Sequence, residues 1–372
     1  MFRSASRALL RGAMRQIGRV PLTRRALHAL SVASRGAGVA VLRTHRLLPD
    51  TAWGRRHPGR VLGAITPWVL RQELKEAQGT LRFVHLAEAV SVLERGERLE
   101  QGLAVLTFDE SFATTVELAL PVLRELGVPA TVFVTTGFLD PDTPGMFHAT
   151  LWDEAVRCAV EQHAPKPLAV PWIDRVLRTE TPAKRRAATR RLLLSLAALD
   201  EDRLERRLGE LFQRTGGAPA CSPLDRMLTR PEVERLCKEP LLSFGAHGRR
   251  HLALANATVS GLDEEMTQPR ETLRRLCGAS FADVVSYPFG RSPYVDDRAV
   301  VAARAAGYRA AFGAEPGVAR PGDHLFRLPR LPIGPGTSGI AAYELQGTFD
   351  AVDEIVLVAS GDRTRLDTSL QG

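Results

Sequence analysis

The sequence predicts an α/β fold, a (β/α) barrel carrying a helical insertion. Three observations lead there. Short apolar runs end abruptly in polar clusters, as Leu103–Phe108 ends in Asp109-Glu110. Helical stretches alternate with these runs, and strand, helix, strand at this spacing is the βαβ unit of a parallel sheet. Residues 151–237 interrupt the alternation with an Arg-, Leu-, Ala- and Glu-rich composition of helical period.

Taken in order, Val39–Leu42 is a short β-like run leading to Thr44-His45-Arg46. Thr66-Pro67 opens a helix to about Ala77, with Thr as N-cap and Pro in the first turn. Leu86–Arg95 is a second helix, ended near Gly96. Leu103–Phe108 has the unbroken apolar character of a strand buried on both faces. A helix then runs to Leu126, with Gly127 as its C-cap, and Ala130–Val134 is the next buried strand. Inside the insertion, helical periodicity covers Leu151–Val160, Lys184–Leu199 and Asp202–Phe212, and its charge runs read as solvated faces. Strands resume at Leu241–Ala246, followed by a helix over 260–277, a strand at Val284–Tyr287 and a helix from Val295 to Ala306. Tyr308–Phe312 and Leu328–Ile333 complete the series. There is no internal repeat.

The net charge of +8 does not describe the main domain. Residues 1–40 carry eight arginines and no acid, which leaves 42 basic against 42 acidic residues elsewhere. The high pI is therefore no sign of a nucleic-acid partner. Arg3, Arg7, Arg11, Arg15 and Arg19 recur every four residues, with Phe2, Leu9, Met14 and Ile17 mostly on another face. This basic amphipathic leader, 1–38, fits peripheral membrane contact through residues 1–20, an organellar transit peptide, or a tail without function. Its apolar stretch is too short for a secretory signal, so the expected location is the cytoplasm or a membrane surface. No apolar run approaches the length of a membrane span. Cys158, Cys221, Cys237 and Cys277 form no CxxC pair and are expected as free thiols, although their spacing does not exclude a disulfide.

Three polar clusters sit where strands end, the edge of a parallel α/β fold at which loops converge and active sites form. They are Thr107-Phe108-Asp109-Glu110-Ser111, Gly245-Ala246-His247-Gly248-Arg249-Arg250-His251 and Ser286-Tyr287-Pro288-Phe289-Gly290. The four-residue spacing of His247 and His251 can place two imidazoles on one side of a turn. Two His and one carboxylate form a common catalytic metal set, with positions left for water and substrate. The adjacent Asp109 and Glu110 offer a ligand and a base for metal-assisted hydrolysis. Taken singly, each cluster also has an ordinary structural reading: a chance His pair, a helix N-cap, a tight turn.

Together the clusters resemble the polysaccharide deacetylase family, also called the NodB-homology or carbohydrate esterase family 4, over residues 39–335. Thr107-Phe108-Asp109-Glu110-Ser111 matches the family's TFDDG, His247-Gly248-Arg249-Arg250-His251 its H-[ST]-x-x-H, and Tyr287-Pro288-Phe289-Gly290 the YP[YF]G turn of one branch. Ala306-Gly307-Tyr308, Leu328-Pro329-Arg330 and Thr44-His45-Arg46 match further segments of that branch. The resemblance implies a distorted (β/α) barrel of about seven parallel strands and removal of acetyl groups from an N-acetylated, or O-acetylated, polysaccharide or glycan. It also implies a divalent metal on Glu110, His247 and His251, zinc before cobalt, nickel or iron, with Asp109 as base. The Tyr287 backbone N–H would bind the oxyanion, and Phe289 and His45 would meet the substrate. Residues 336–372 form a C-terminal extension.

The departures from the pattern are specific. Glu110 stands where the family has Asp, one methylene or roughly 1.5 Å longer. Ser111 replaces Gly, at a cost on the order of 1 kcal/mol if the backbone there is left-handed. Gly248 replaces a Ser or Thr. The family's acid histidine, motif tryptophan and third-motif arginine have no evident counterpart. Arg330 is the candidate to steady Asp109, and His324, His45 and His148 are candidates for the acid. Two other readings fit the same residues: a catalytically impaired carbohydrate-binding relative, and a non-sugar amidohydrolase on the same barrel.

Overall fold

A computed structural model describes residues 37–50, 64–139, 150–219 and 221–333. The leader to residue 36, the stretch 334–372 and His148 lie outside the described residues.

Among the described residues, eight strands form one sheet: β1 (Val39–Thr44), β2 (Arg82–Phe83), β3 (Leu103–Phe108), β4 (Ala130–Val134), β5 (Leu242–Ala246), β6 (Phe281–Ser286), β7 (Ala310–Phe312) and β8 (Leu331–Pro332). The path β7-β6-β5-β4-β3-β1-β8 is parallel throughout, and β2 pairs with the start of β3. A parallel bridge from Phe312 to Leu328 brings β7 to the segment entering β8, so the sheet curls toward closure as a distorted seven-strand barrel. The two-residue β2 is too short to leave a periodic signal, and β6 begins three residues before the expected Val284.

The strands are buried on both faces. Ala40 and Leu42 of β1 pack outward with the helices, and Val39 and Val41 pack inward. Val105, Phe133, Val284 and Phe312 join the inner set, with Val90 and Leu93 of a helix described below. The Phe133 and Phe312 ring centroids lie 5.9 Å apart. Gly245 on β5 makes room for this packing, because a Cβ there would stand 2.5 Å from the Phe133 ring.

Helices α1 (Pro67–Gln78), α2 (Leu86–Arg95) and α3 (Ala113–Leu126) form at the expected places. Thr66 caps α1, and Gly96 and Gly127 end α2 and α3 in left-handed conformations. After β4 come α4 (Trp152–His163), α5 (Pro182–Leu196), α6 (Glu201–Arg214) and α7 (Arg230–Leu236). The region expected as one insertion divides here. Helices α4 to α6 share a core of their own around Val156, Leu192 and Leu208, whereas Val233 and Leu236 of α7 pack with the barrel. Helices α8 (Val259–Cys277) and α9 (Asp297–Ala305) flank β6. Cys237 and Cys277, expected as free thiols, are joined as a disulfide where the ends of α7 and α8 meet, 40 residues apart in sequence. Cys158 and Cys221 are free.

A buried ionic network ties α4 to the barrel. Arg46, just after β1, donates to Asp225 at 2.7 Å and stacks 4.0 Å over the Phe112 ring. Arg157 on α4 donates to the other Asp225 oxygen at 2.9 Å and to Glu154 at 2.6 Å. Asp225 is 4% exposed, so its removal leaves two cations short of a partner in poor solvent. Asp225→Ala is expected to cost about 3 kcal/mol in urea unfolding, and a loss under about 1 kcal/mol would show that Glu154 alone neutralises both arginines.

Candidate active site

Because the strands are parallel, their C-terminal ends open on one edge, and each of the predicted clusters lies there. Register places them side by side: Thr44 pairs with Phe108, Val134 with Ala246, and Ala246 with Val285. His45, Asp109, His247 and Tyr287 therefore leave β1, β3, β5 and β6 toward a common space.

Asp109 is 2% exposed and meets Arg330 in a two-point contact, Nη1 to Oδ1 at 2.7 Å and Nη2 to Oδ2 at 2.9 Å. Arg330 also donates to Ser286 Oγ at 2.8 Å and to the Gly313 carbonyl at 2.7 Å. Burial by itself would raise the Asp109 carboxyl, but the Arg330 guanidinium, helped by His247, holds it well below the usual carboxylate range. The candidate steadying arginine thus sits on the candidate base, 221 residues away in sequence.

Next to it, Glu110, His247 and His251 each offer one ligand atom, and these atoms lie within 4.8 Å of one another. His247 Nδ1 lies 2.8 Å from the Ser286 carbonyl, which fixes that nitrogen as the donor and leaves Nε2 free. His251 Nε2 is 3.8 Å from Glu110 Oε1, and neither of its buried ring nitrogens has a hydrogen-bond partner. Burial pushes both imidazoles down to about 3, the neutral form that ligates metals. Burial, then Asp153, Asp109 and Glu154, push the Glu110 carboxyl well up, as expected of clustered carboxylates with no nearby cation strong enough to offset them. Two neutral imidazoles, one carboxylate and orphaned buried nitrogens fit a divalent ion.

The histidine loop is held by residues that the sequence motifs do not contain. Glu265 of α8, fully buried, accepts from the Arg249 and Arg250 backbone N–H groups at 2.9 and 3.1 Å. Gly248 has φ +71°, and a Cβ there would stand 2.6 Å from Glu265 Oε2. The hydroxyl expected at this position is thus replaced by a carboxylate reaching in from α8. The Trp152 indole N–H donates to the His251 carbonyl at 2.8 Å, and Asp153 Oδ1 lies 3.7 Å from His251 Nδ1. Burial raises the Asp153 carboxyl to about 6. Half-buried Phe289 packs against His251 at 4.8 Å and Tyr294 at 5.1 Å between centroids. Of these residues, Glu265 had a sequence signal: it lies on the stripe Leu262, Met266, Pro269, Leu273, where the apolar face of α8 should exclude a charge.

One expectation is corrected. The Tyr287 N–H donates to the Phe312 carbonyl at 3.0 Å, because β6–β7 pairing continues through this residue, so it is not available to an oxyanion. Its hydroxyl bonds the Phe326 carbonyl at 3.2 Å. His324, one of the candidates for the acid, is an exposed N-cap, accepting from the Phe326 N–H at 3.2 Å. His45 does reach the site, with Nε2 3.9 Å from Asp109 Oδ2 and a side chain 33% exposed.

Family and fold comparisons agree with this geometry. The model of the polysaccharide deacetylase family matches residues 96–164 and 212–311 of the chain. Among solved structures the chain resembles the Streptococcus pyogenes deacetylase PplD in complex with acetate (TM-score 0.55, 16% identity, 83% of this chain and 98% of that one). It also resembles a de-N-acetylase from Aggregatibacter actinomycetemcomitans (0.52, 15%, 82% and 99%). IcaB from Ammonifex degensii is similar as well (0.51, 17%, 84% and 98%). At these identities the likeness is one of fold. No curated protein matches the chain.

Glu110 and Ser111 take φ +70° and +44°, two consecutive left-handed residues without glycine. Ser111 Oγ is buried without a partner, so the side chain returns nothing for the strain. Ser111→Gly is expected to stabilise the chain by about 0.5–1 kcal/mol, read as a higher melting temperature, and a lower one would show that the hydroxyl has a partner in solution.

Proposed function

We propose that this protein is a metal-dependent deacetylase of an N-acetylated polysaccharide or glycan, with zinc the preferred ion and cobalt, nickel or iron suited to the same ligands. One observation carries the reading: Glu110, His247 and His251 converge within 4.8 Å beside an Asp109 that Arg330 keeps ionised. A divalent ion held by those three residues supplies Lewis acidity toward the acetyl carbonyl and acidifies the attacking water.

The rest falls to side chains. An Asp109 carboxylate oxygen accepts the water proton while its other lone pairs stay on Arg330. The water oxygen adds to the acetyl carbon, the C–N bond breaks, and the nitrogen leaves as an amine after taking a proton. The proton held by Asp109 is available for that step, whereas His45 Nε2 faces the Arg43 Nη1 donor at 3.2 Å and burial pushes its imidazole down to about 4, so that nitrogen carries no proton to give. Phe289 presents a half-buried ring to the sugar beside His251.

The test is release of acetate with free amine from N-acetylglucosamine oligomers, by chelator-stripped and metal-reconstituted protein. His247→Ala and His251→Ala are expected to lose metal and activity together. Asp109→Asn should keep the metal and lose about 10²–10⁴-fold in turnover, and full activity in that variant would sink the base assignment.

Arg330→Gln separates the steadying role from simple folding. Asp109 is depressed in the native chain, so its ionised form survives to low pH. Without Arg330 its carboxyl rises, protonates at higher pH, and the acid limb of kcat/KM moves upward. An unmoved acid limb in a folded variant would remove Arg330 from the mechanism.

A further inference from the structure

The first two residues of α4 take hold of His251 from both ends. The Trp152 indole N–H fixes its carbonyl at 2.8 Å, and Asp153 Oδ1 stands 3.7 Å from its Nδ1. Both of these facing atoms, His251 Nδ1 and Asp153 Oδ1, are buried and lack a hydrogen-bond partner. Two buried orphans of opposite hydrogen-bonding character, one a potential N–H donor and one an acceptor, rarely face each other by chance, since each alone carries a desolvation cost.

The two histidines then share one plan. His247 turns Nδ1 to the Ser286 carbonyl and leaves Nε2 free. His251 turns Nδ1 to Asp153 and Nε2 to Glu110, 3.8 Å away. An acceptor on Nδ1 sets the tautomer, fixes the ring and makes the opposite nitrogen a better ligand.

We propose that Asp153 is a positioning residue of the metal site: its carboxylate accepts the His251 Nδ1–H and so holds Nε2 toward the ion. This rests on the metal reading above. It also gives α4 a part in the site, since the helix bearing Asp153 is the one anchored to the barrel by Arg157 and Asp225. His251 sits at φ +61°, a conformation that a lone ring would leave readily and that the grip from α4 opposes.

The test is metal affinity, measured on full-length stripped protein by competition between a chromophoric chelator and Co²⁺, with visible spectra at saturation. Asp153→Asn is expected to weaken Co²⁺ binding about 10–100-fold, as loss of an outer carboxylate does, while the band positions stay those of the wild type. Asp153→Glu, which restores a carboxylate across the 3.7 Å gap, should recover most of the affinity. Melting curves of the stripped proteins guard against misfolding: the Asn variant should melt no lower than wild type without metal and gain less on adding it. Equal affinities for wild type and Asp153→Asn would overturn the proposal alone. Loss of a band set typical of the wild type would make Asp153 a direct ligand and overturn it as stated. A wild-type chain that binds no Co²⁺ or Zn²⁺ would overturn it together with the metal reading.

Discussion

The ion pair between Arg330 and Asp109 is the contact on which barrel and site both depend. A carboxylate that is 2% exposed would be strongly disfavoured alone, and a 1% exposed guanidinium more so. Two-point contact satisfies the charge, and two further donors go to Ser286 Oγ and the Gly313 carbonyl. One side chain therefore links the end of β3, the end of β6, the turn after β7 and the segment entering β8. Those are the points where the curled sheet comes nearest to closing, with a backbone bridge at Phe312–Leu328 beside it. Closing the barrel and setting the charge of Asp109 are the same interaction. An arginine suits this place better than a lysine because its planar group can serve four acceptors at once.

Around that pair the site is built from strand ends and finished by helices. The strands bring the functional residues to one edge, and the backbone then turns through left-handed residues at Glu110, Ser111, Gly248 and His251. Such a turn needs outside support. Glu265 from α8 supplies it for the histidine loop, bonding two successive backbone N–H groups through a space that only a glycine at 248 leaves open. Trp152 supplies it at His251.

What could be read beforehand follows from range. Strands buried on both faces leave continuous apolar runs, and helices ended by Gly96 and Gly127 leave local stop signals, so most of the fold was legible. The clusters at 107–111 and 245–251 were legible because their residues are neighbours in sequence. Contacts across the chain were not. Nothing near Cys237 announces Cys277, and Arg330 was a candidate by position only until the barrel brought it to Asp109. The Tyr287 N–H was misassigned because the sequence does not show that β6–β7 pairing runs one residue past the strand. Gly248 read locally as a missing hydroxyl. It is a gap already filled by a carboxylate from another helix.

Asp109 and Glu110 are adjacent carboxylates in opposite surroundings, and that contrast is what gives them different work under the proposed reading. Asp109 faces Arg330 and His247 and is driven down; Glu110 faces Asp153, Asp109 and Glu154 and is driven up. The first stays anionic whatever binds beside it, as a base must at the moment water loses its proton. The second is destabilised as an anion until a cation arrives, so binding a divalent ion relieves repulsion as well as forming ligand bonds. The extra methylene of Glu110 then has a physical sense. Its backbone is fixed by the left-handed turn, and a longer side chain lets the carboxylate move toward the two histidines without disturbing Asp109, which the buried guanidinium cannot release.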